Sequence, residues 1–316
     1  MKTKKTAVIA LGGNAITRPG VPDTIANQFA NTRLSLDGIV EVIRDGYNLV
    51  VTHGNGPQVG NALLRVELTL DKAPELPLGV CVADTEGGMG YMIQQSLQNR
   101  LRDEGIARPV VTVITQMLVH PDDPDVANPS KFVGQFYTEE QAREFQKTRG
   151  WQMKKDADRG WRRVVPSPVP YRTIEAETIK LLMDSGTVVI AAGGGGIPVY
   201  IDHRNWYEGL DAVIDKDLAS SVLAGEIGAE ILAILTSVEA ASINFGKPDQ
   251  QRLGRVTLGQ IKEYYEAGHF PRGSMGPKIQ AAIRFLEHGG RMVVITSLEN
   301  AGLAFKGEVG TRIAAK

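Results

Sequence analysis

Cysteine is almost missing from this chain of 316 residues: Cys81 stands alone. One thiol can build neither an intramolecular disulfide nor a thiolate metal cluster, which fits a reducing compartment. No His, Asn or Asp arrangement points at Cys81, so it reads as a buried, inert thiol. Net charge is equally scarce, with 35 basic against 36 acidic residues and a formal balance of −1. Such a chain has no general field for nucleic acid or an anionic membrane, so any anion site must be local. Long apolar runs are absent as well; no segment reaches the roughly 20 apolar residues of a membrane span. Met1-Lys2-Thr3-Lys4-Lys5 has the form of a signal n-region, but the apolar run behind it, Ala7 to Leu11, is too short for an h-region. A cytoplasmic protein that touches neither nucleic acid nor membrane is the expectation.

Several catalytic signatures are missing too. Without G-x-x-x-x-G-K-[ST] there is no P-loop, and without G-x-S-x-G there is no nucleophile elbow or supported hydrolytic triad. The histidines, His53, His120, His203, His269 and His288, show no paired spacing. Histidine ligation of a metal is therefore not expected, the metal ligands stay open, and His53 reads as a residue that orients its loop.

What the chain has in excess is glycine, 35 of 316 residues, or about 11% against an average of about 7%. Much of it clusters at Gly12-Gly13, Gly54/Gly56/Gly60, Gly193 to Gly196 and Gly273/Gly276. Short β-branched runs alternate with stretches of helical period, the signature of a parallel sheet with crossover helices. The candidate strands are Thr6–Leu11, Tyr47–Thr52, Val110–Thr115, Thr187–Ala192, Glu230–Leu235 and Arg291–Thr296. Each is nearly continuous Val/Ile/Leu/Ala, as suits a strand buried on both faces. Helical stripes run over Ile25–Asp45, stopping at Gly46, and over Asp84–Glu104. Three glycine clusters directly follow candidate strands, where open α/β sheets bind ligands. Together they would make a floor of N–H groups. From His120 to Tyr171 the alternation breaks in a stretch holding six prolines and two of the three tryptophans. It reads as an inserted lobe, since a structureless loop of that length is unusual.

Gly54-Asn55-Gly56-Pro57-Gln58-Val59-Gly60 matches G-x-G-x-x-x-G, a weak relative of the dinucleotide fingerprint. About 20 residues on, where an acid at a strand end would hold the ribose, stands Ala73-Pro74-Glu75-Leu76-Pro77, a loop. An NADP-dependent oxidoreductase built on these glycines stays an alternative, but it leaves Lys131, Lys216 and Lys278 without a task. Lys278 begins an expected helix, Pro277–Glu287, where a cation opposes the helix dipole unless an anion lies nearby. Asp215 and Asp217 read from spacing alone as an N-cap and a first-turn acid for the helix through Leu223.

Taken together, Ala10-Leu11-Gly12-Gly13-Asn14-Ala15, Thr52-His53-Gly54-Asn55-Gly56-Pro57-Gln58-Val59-Gly60, Val164-Val165-Pro166-Ser167-Pro168, Gly193 to Val199 and Ala212-Val213-Ile214-Asp215-Lys216-Asp217 closely resemble the carbamate kinases of the amino acid kinase superfamily. The order holds to Glu308-Val309-Gly310-Thr311, so the likeness spans essentially the whole chain. It implies one α/β domain over residues 1–316, a three-layer αβα sandwich around a mainly parallel sheet, with residues 120–171 as a protruding lobe over the active site. It also implies a homodimer. The implied reaction is reversible phosphoryl transfer between ATP and carbamate, giving ADP and carbamoyl phosphate with Mg²⁺, used to make ATP in fermentative arginine breakdown.

By motif, Gly12, Gly13 and Asn14 hold the transferring phosphoryl group, and His53, Gly54, Asn55 and Gly56 bound the substrate side. Lys131 reaches in from the lobe, Lys216 and Lys278 flank the phosphates, and Asp217 organises the lysines. Thr236, Ser237, Phe245, Met275 and Lys278 are the implied nucleotide contacts. A sister kinase with another carboxylate acceptor is the nearest alternative. Three stretches depart from the family pattern: Ser130-Lys131-Phe132-Val133-Gly134, Gly276 where Leu is common, and Asp156-Ala157-Asp158-Arg159-Gly160-Trp161.

Overall fold

A computed structural model describes residues 5–18, 20–156, 159–271 and 273–315, and only the backbone of Asn14. Asp158 therefore lies outside the described residues, as does the Asn14 side chain. The main sheet has eight strands, numbered here in chain order: β1 Thr6–Leu11, β2 Asn48–His53, β3 Val110–Thr112, β4 Val188–Ile190, β5 Ile231–Thr236, β6 Arg255–Thr257, β7 Met292–Ser297 and β8 Thr311–Ala314. They lie in the order β6-β8-β7-β5-β1-β2-β4-β3. Only the β7–β8 pairing is antiparallel; β5, β1, β2 and β4 run parallel, so their C-terminal ends share one edge.

Apolar residues on both sides of each strand follow from two cores. In β1, Ala7, Ile9 and Leu11 face a core with the Asp37–Arg44, Leu78–Asp103 and Ala301–Lys306 helices. Val8 faces a second core, with Ala176–Asp184, Lys216–Glu226, Leu258–Glu266 and Met275–Glu287. The result is an αβα sandwich around a mainly parallel sheet. Among the described residues no helix is long and apolar enough to cross a membrane.

Four local departures have physical causes. The expected Ile25–Asp45 helix is two, Ile25–Ser35 and Asp37–Arg44. The break lets Gly38 lie against the last helix, where a Cβ would stand 2.7 Å from Ala301 Cβ. The expected Asp84–Glu104 helix starts earlier, at Leu78, whose N–H donates to Asp211 Oδ1 at 3.0 Å. The Val110 strand stops pairing at Thr112, because the Thr115 and Gln116 N–H groups turn to the Glu86 and Glu175 carboxylates at 3.1 and 2.8 Å. Residues Gln116–Leu118 then join a second, four-stranded sheet. Strands β6 and β8 were not anticipated; both are short and carry arginines.

Residues 120–171 carry a three-stranded antiparallel sheet, Lys131–Tyr137, Trp161–Val165 and Met153–Lys155, and the helix Glu139–Arg149, opened by a Thr138 capping box and closed by Gly150 at φ 65°. At the root of this stretch the His120 and Tyr171 rings stack 4.5 Å apart, and Leu118 pairs with Arg172. Its first strand crosses the Gly56–Leu68 helix with backbone against backbone: a Cβ on Gly60 would stand 3.3 Å from the Gly134 nitrogen.

Candidate active site

The glycine loops meet on the shared strand edge. After β1 the chain turns through Gly13–Ala15, a single 3₁₀ turn held by Ala15 N–H to Gly12 O at 3.0 Å. The Ile25–Ser35 helix secures this turn with a polar stripe: Asn31 Nδ2 donates to Ile16 O at 2.9 Å and Ser35 Oγ to Ala15 O at 2.7 Å. Gly12 lies so close to β5 that a Cβ would stand 2.8 Å from Leu235 O. After β2, Gly54 donates its N–H to Leu11 O at 3.2 Å, and its bare Cα faces the Lys216 stem, a Cβ lying 3.3 Å from Lys216 Cδ. Asn55 precedes the Gly56–Leu68 helix, which Pro57 opens, but sends its amide to Thr85 Oγ1 at 2.9 Å.

Across that edge stands a cluster of charges. Asp215 is the N-cap of the Lys216–Glu226 helix, its Oδ1 receiving the Asp217 N–H at 3.0 Å. Asp217 is not only a first-turn acid. Its carboxylate, 3% exposed, receives Lys216 Nζ on Oδ1 and Lys278 Nζ on Oδ2, the latter at 3.0 Å. Burial by itself would raise its pKa, but the two lysines overcome that and hold the carboxyl below the usual carboxylate range. Lys131 reaches from the three-stranded unit to Asp215 Oδ2 at 3.1 Å, with its side chain 44% exposed. The three lysines separated in sequence thus converge on two aspartates two residues apart.

Lys278 is also the link to a cavity of about 350 Å³, which Thr236, Ser237, Phe245, Pro271 and Met275 line with it. All five residues expected to contact a nucleotide border this one cavity. Gly276, the departure noted above, has a structural reason: its N–H donates to Pro271 O at 2.8 Å, and a Cβ would stand 2.9 Å from that oxygen. Phe132, a second of the three departures, lies under the Arg162 guanidinium, 5.6 Å from the ring centre. A larger cavity of about 810 Å³ opens among the Ile25–Ser35, Gly56–Leu68 and Leu78–Asp103 helices. It contains none of the three lysines, so size does not locate the chemistry.

His53 sits beneath the third glycine loop. Burial, aided by the Lys216 charge and opposed by a hydrogen bond to Gly54 O, lowers its pKa to about 4, so the ring is neutral near pH 7, with Nε2 unpartnered. A Cβ on Gly193 would stand 2.5 Å from that nitrogen, and one on Gly194, at φ 67°, would overlap the Asn55 side chain. Only glycine fits here. Two residues holding this region were not anticipated: Thr85 grips Asn55, and Glu86 receives Gly193 N–H at 2.8 Å. Their signal in the sequence is faint, two polar residues on the buried stripe of Val82, Met89 and Ile93.

A helix N-terminus, glycine loops at parallel strand ends and paired lysines beside a nucleotide-sized cavity define a phosphate-handling α/β protein. The amino acid kinase family model matches residues 5–297, and the chain belongs to that family. Carbamate kinases are among its relatives there. The one from Thermococcus kodakarensis is 50% identical, over 98% of this chain and 99% of its own length. A carbamate kinase-like protein of Escherichia coli K12, YahI, is 48% identical over 98% and 99%. The carbamate kinase of Giardia lamblia bound to AMP-PNP superposes with a TM-score of 0.93 at 42% identity, covering 99% of each chain.

Proposed function

We propose that this enzyme is a carbamate kinase, transferring a phosphoryl group reversibly between ATP and carbamate. The observation that carries the reading is the Lys216–Asp217–Lys278 cluster between the glycine floor and the 350 Å³ cavity. Phosphoryl transfer asks a protein for positioning and for positive charge on the equatorial oxygens. Asp217 holds both ammonium groups at fixed points, and the N-terminus of the Lys216–Glu226 helix adds its dipole. Lys278, shared with the cavity, guides the phosphates of ATP or ADP whose base would lie near Thr236, Ser237, Phe245 and Met275. Gly12, Gly13 and Asn14 are the proposed cradle of the moving group. Gly54, Asn55 and Gly56 bound the acceptor, with His53 packed beneath. Carbamate brings its own anionic oxygen, so no general base is required. The neutral, buried His53 fits that economy.

Residues 120–171 act in this reading as a lobe over the site that delivers Lys131. Among the described residues no group of three or more His, Cys, Asp or Glu side chains could cage a metal, and both Asp217 oxygens already hold lysines. Mg²⁺ would then arrive with the nucleotide and not in a cage of side chains, and when bound it would neutralise phosphate charge. A homodimer is the proposed assembly, on the family resemblance, and light scattering after gel filtration would read its mass. A cytoplasmic site and ATP production in arginine breakdown complete the proposal.

The test is ATP formation from carbamoyl phosphate and MgADP, with Lys216→Ala as control. No activity in the unaltered protein under varied pH and metal would sink the reading. The kinship to YahI, which is named only carbamate kinase-like, favours a second reading, a sister kinase with another carboxylate acceptor. A panel of acceptors separates the two.

A further inference from the structure

The Leu78–Asp103 helix carries no residue of the reaction just described, yet it places an acid under the glycine floor. Glu86 is 1% exposed. Its Oε1 receives the Gly193 N–H at 2.8 Å and its Oε2 the Thr115 N–H at 3.1 Å. Thr115 in turn receives the Ala192 N–H on Oγ1 at 2.9 Å, and Ala192 stands at φ 47°, a left-handed conformation that costs a non-glycine residue energy. The turn into Gly193 is thus held from one side by a carboxylate and a hydroxyl.

The residue before Glu86 works on the neighbouring loop. Thr85 holds the Asn55 amide, and Asn55 fills the space a Gly194 side chain would take. Adjacent residues of one helix therefore fix two loops that touch each other. Burying a carboxylate is costly without partners, and burial pushes the Glu86 pKa up to about 8 against the pull of its two N–H donors, with Glu175 nearby adding to the rise. A Gln would cost less to bury, but it can offer only one acceptor atom to the two N–H groups.

We propose that Glu86 is a positioning residue for phosphoryl transfer: by receiving the Thr115 and Gly193 N–H groups it fixes the Gly193–Gly196 loop against Asn55 and so sets the acceptor side of the site. This rests on the kinase reading above. Glu86 acts through the loop and touches neither substrate. Its removal therefore weakens the acceptor side and spares the nucleotide cavity, which is built from other elements.

The experiment compares the unaltered enzyme with Glu86→Ala, Glu86→Gln and Thr115→Val at pH 9, where the carboxylate is ionised. kcat/KM for carbamoyl phosphate should fall about 100-fold in Glu86→Ala, as for a misplaced reacting geometry, and less in Glu86→Gln and Thr115→Val. KM for MgADP should stay within about twofold, the split that a general structural loss would not produce. Hydrogen exchange should quicken at the Gly193 and Thr115 amides and not along the Lys216–Glu226 helix. If Glu86→Ala fails to fold, Glu86→Gln and Thr115→Val carry the same test. Unchanged kinetics with unchanged exchange, or equal losses on both substrates, overturns the proposal. An unaltered enzyme without turnover overturns the kinase reading alone, and exchange at Gly193 then decides whether Glu86 holds the loop.

Discussion

Lys216 and Lys131 are the same residue type converging on neighbouring aspartates, but the molecule holds them in opposite ways. Lys216 is built into the sandwich: its side chain is 12% exposed, its stem lies against Gly54, and its partner Asp217 is buried between two cations. Lys131 is carried by the three-stranded unit, is 44% exposed, and meets the sandwich through Asp215. A charge fixed in the body needs no motion to act and is poorly screened. A charge on an appendage depends on where that appendage lies and on salt. In the proposed site, a charge fixed in the body would thus be combined with a cation carried by the appendage.

The largest effect that would break this contrast belongs to the floor. Lys216→Ala should lower kcat on the order of 10²–10³-fold, the scale of losing a preorganised charge stabiliser, with little sensitivity to added salt. A tenfold loss that salt abolishes would place Lys216 on the same footing as Lys131. Next comes stability. His53 is held neutral at about pKa 4, below its ordinary 6.5, so the unfolded chain binds the extra proton between those values. Stability should therefore rise with pH from about 4 to 6.5 and stay level above, with roughly 3 kcal/mol at stake. In urea titrations, that slope should shrink in His53→Gln, and an unchanged slope would mean the ring is wet.

Lys131→Ala should reduce kcat on the order of tenfold, with the deficit narrowing as ionic strength rises, because an exposed pair is weak and screened. Smallest is Gly60→Ala. The new methyl needs the Gly134 backbone to give by a few tenths of an ångström, since its Cβ would stand 3.3 Å away. Alanine also favours the helix by about 0.5–1 kcal/mol. A fall in kcat of a few-fold with an unchanged or higher Tm would mark a shift of the appendage; a lower Tm would mark simple overpacking.

The body was far more legible in the sequence than the ties that hold it. Six apolar runs foretold six strands because two cores demand apolar residues on both faces of β1, β2 and β5. Strands β6 and β8 escaped because they are short and alternate, with Arg255 and Arg312 among them. Spacing alone read Asp215 correctly as a cap, yet gave Asp217 only a helix-dipole role, since its lysine partner 61 residues away is invisible to local pattern. The lysine roles proposed above rest on family resemblance, not on periodicity. Glu86 escaped both, because its partners are backbone N–H groups 29 and 107 residues distant, and main-chain donors have no letter in a sequence.

The stacked His120 and Tyr171 rings and the Leu118–Arg172 pairing at the root of the three-stranded unit carry one more consequence. The chain departs and returns through a single doorway, and no strand of the eight-stranded sheet lies between. Excision of the residues in between, closed by a short turn, would leave the order of that sheet uninterrupted. The arrangement leaves the attachment's length free to change without rewriting the topology beneath it, while Val133 and Val165 tie it to the body through the apolar cluster they share with Val59, Leu63 and Cys81.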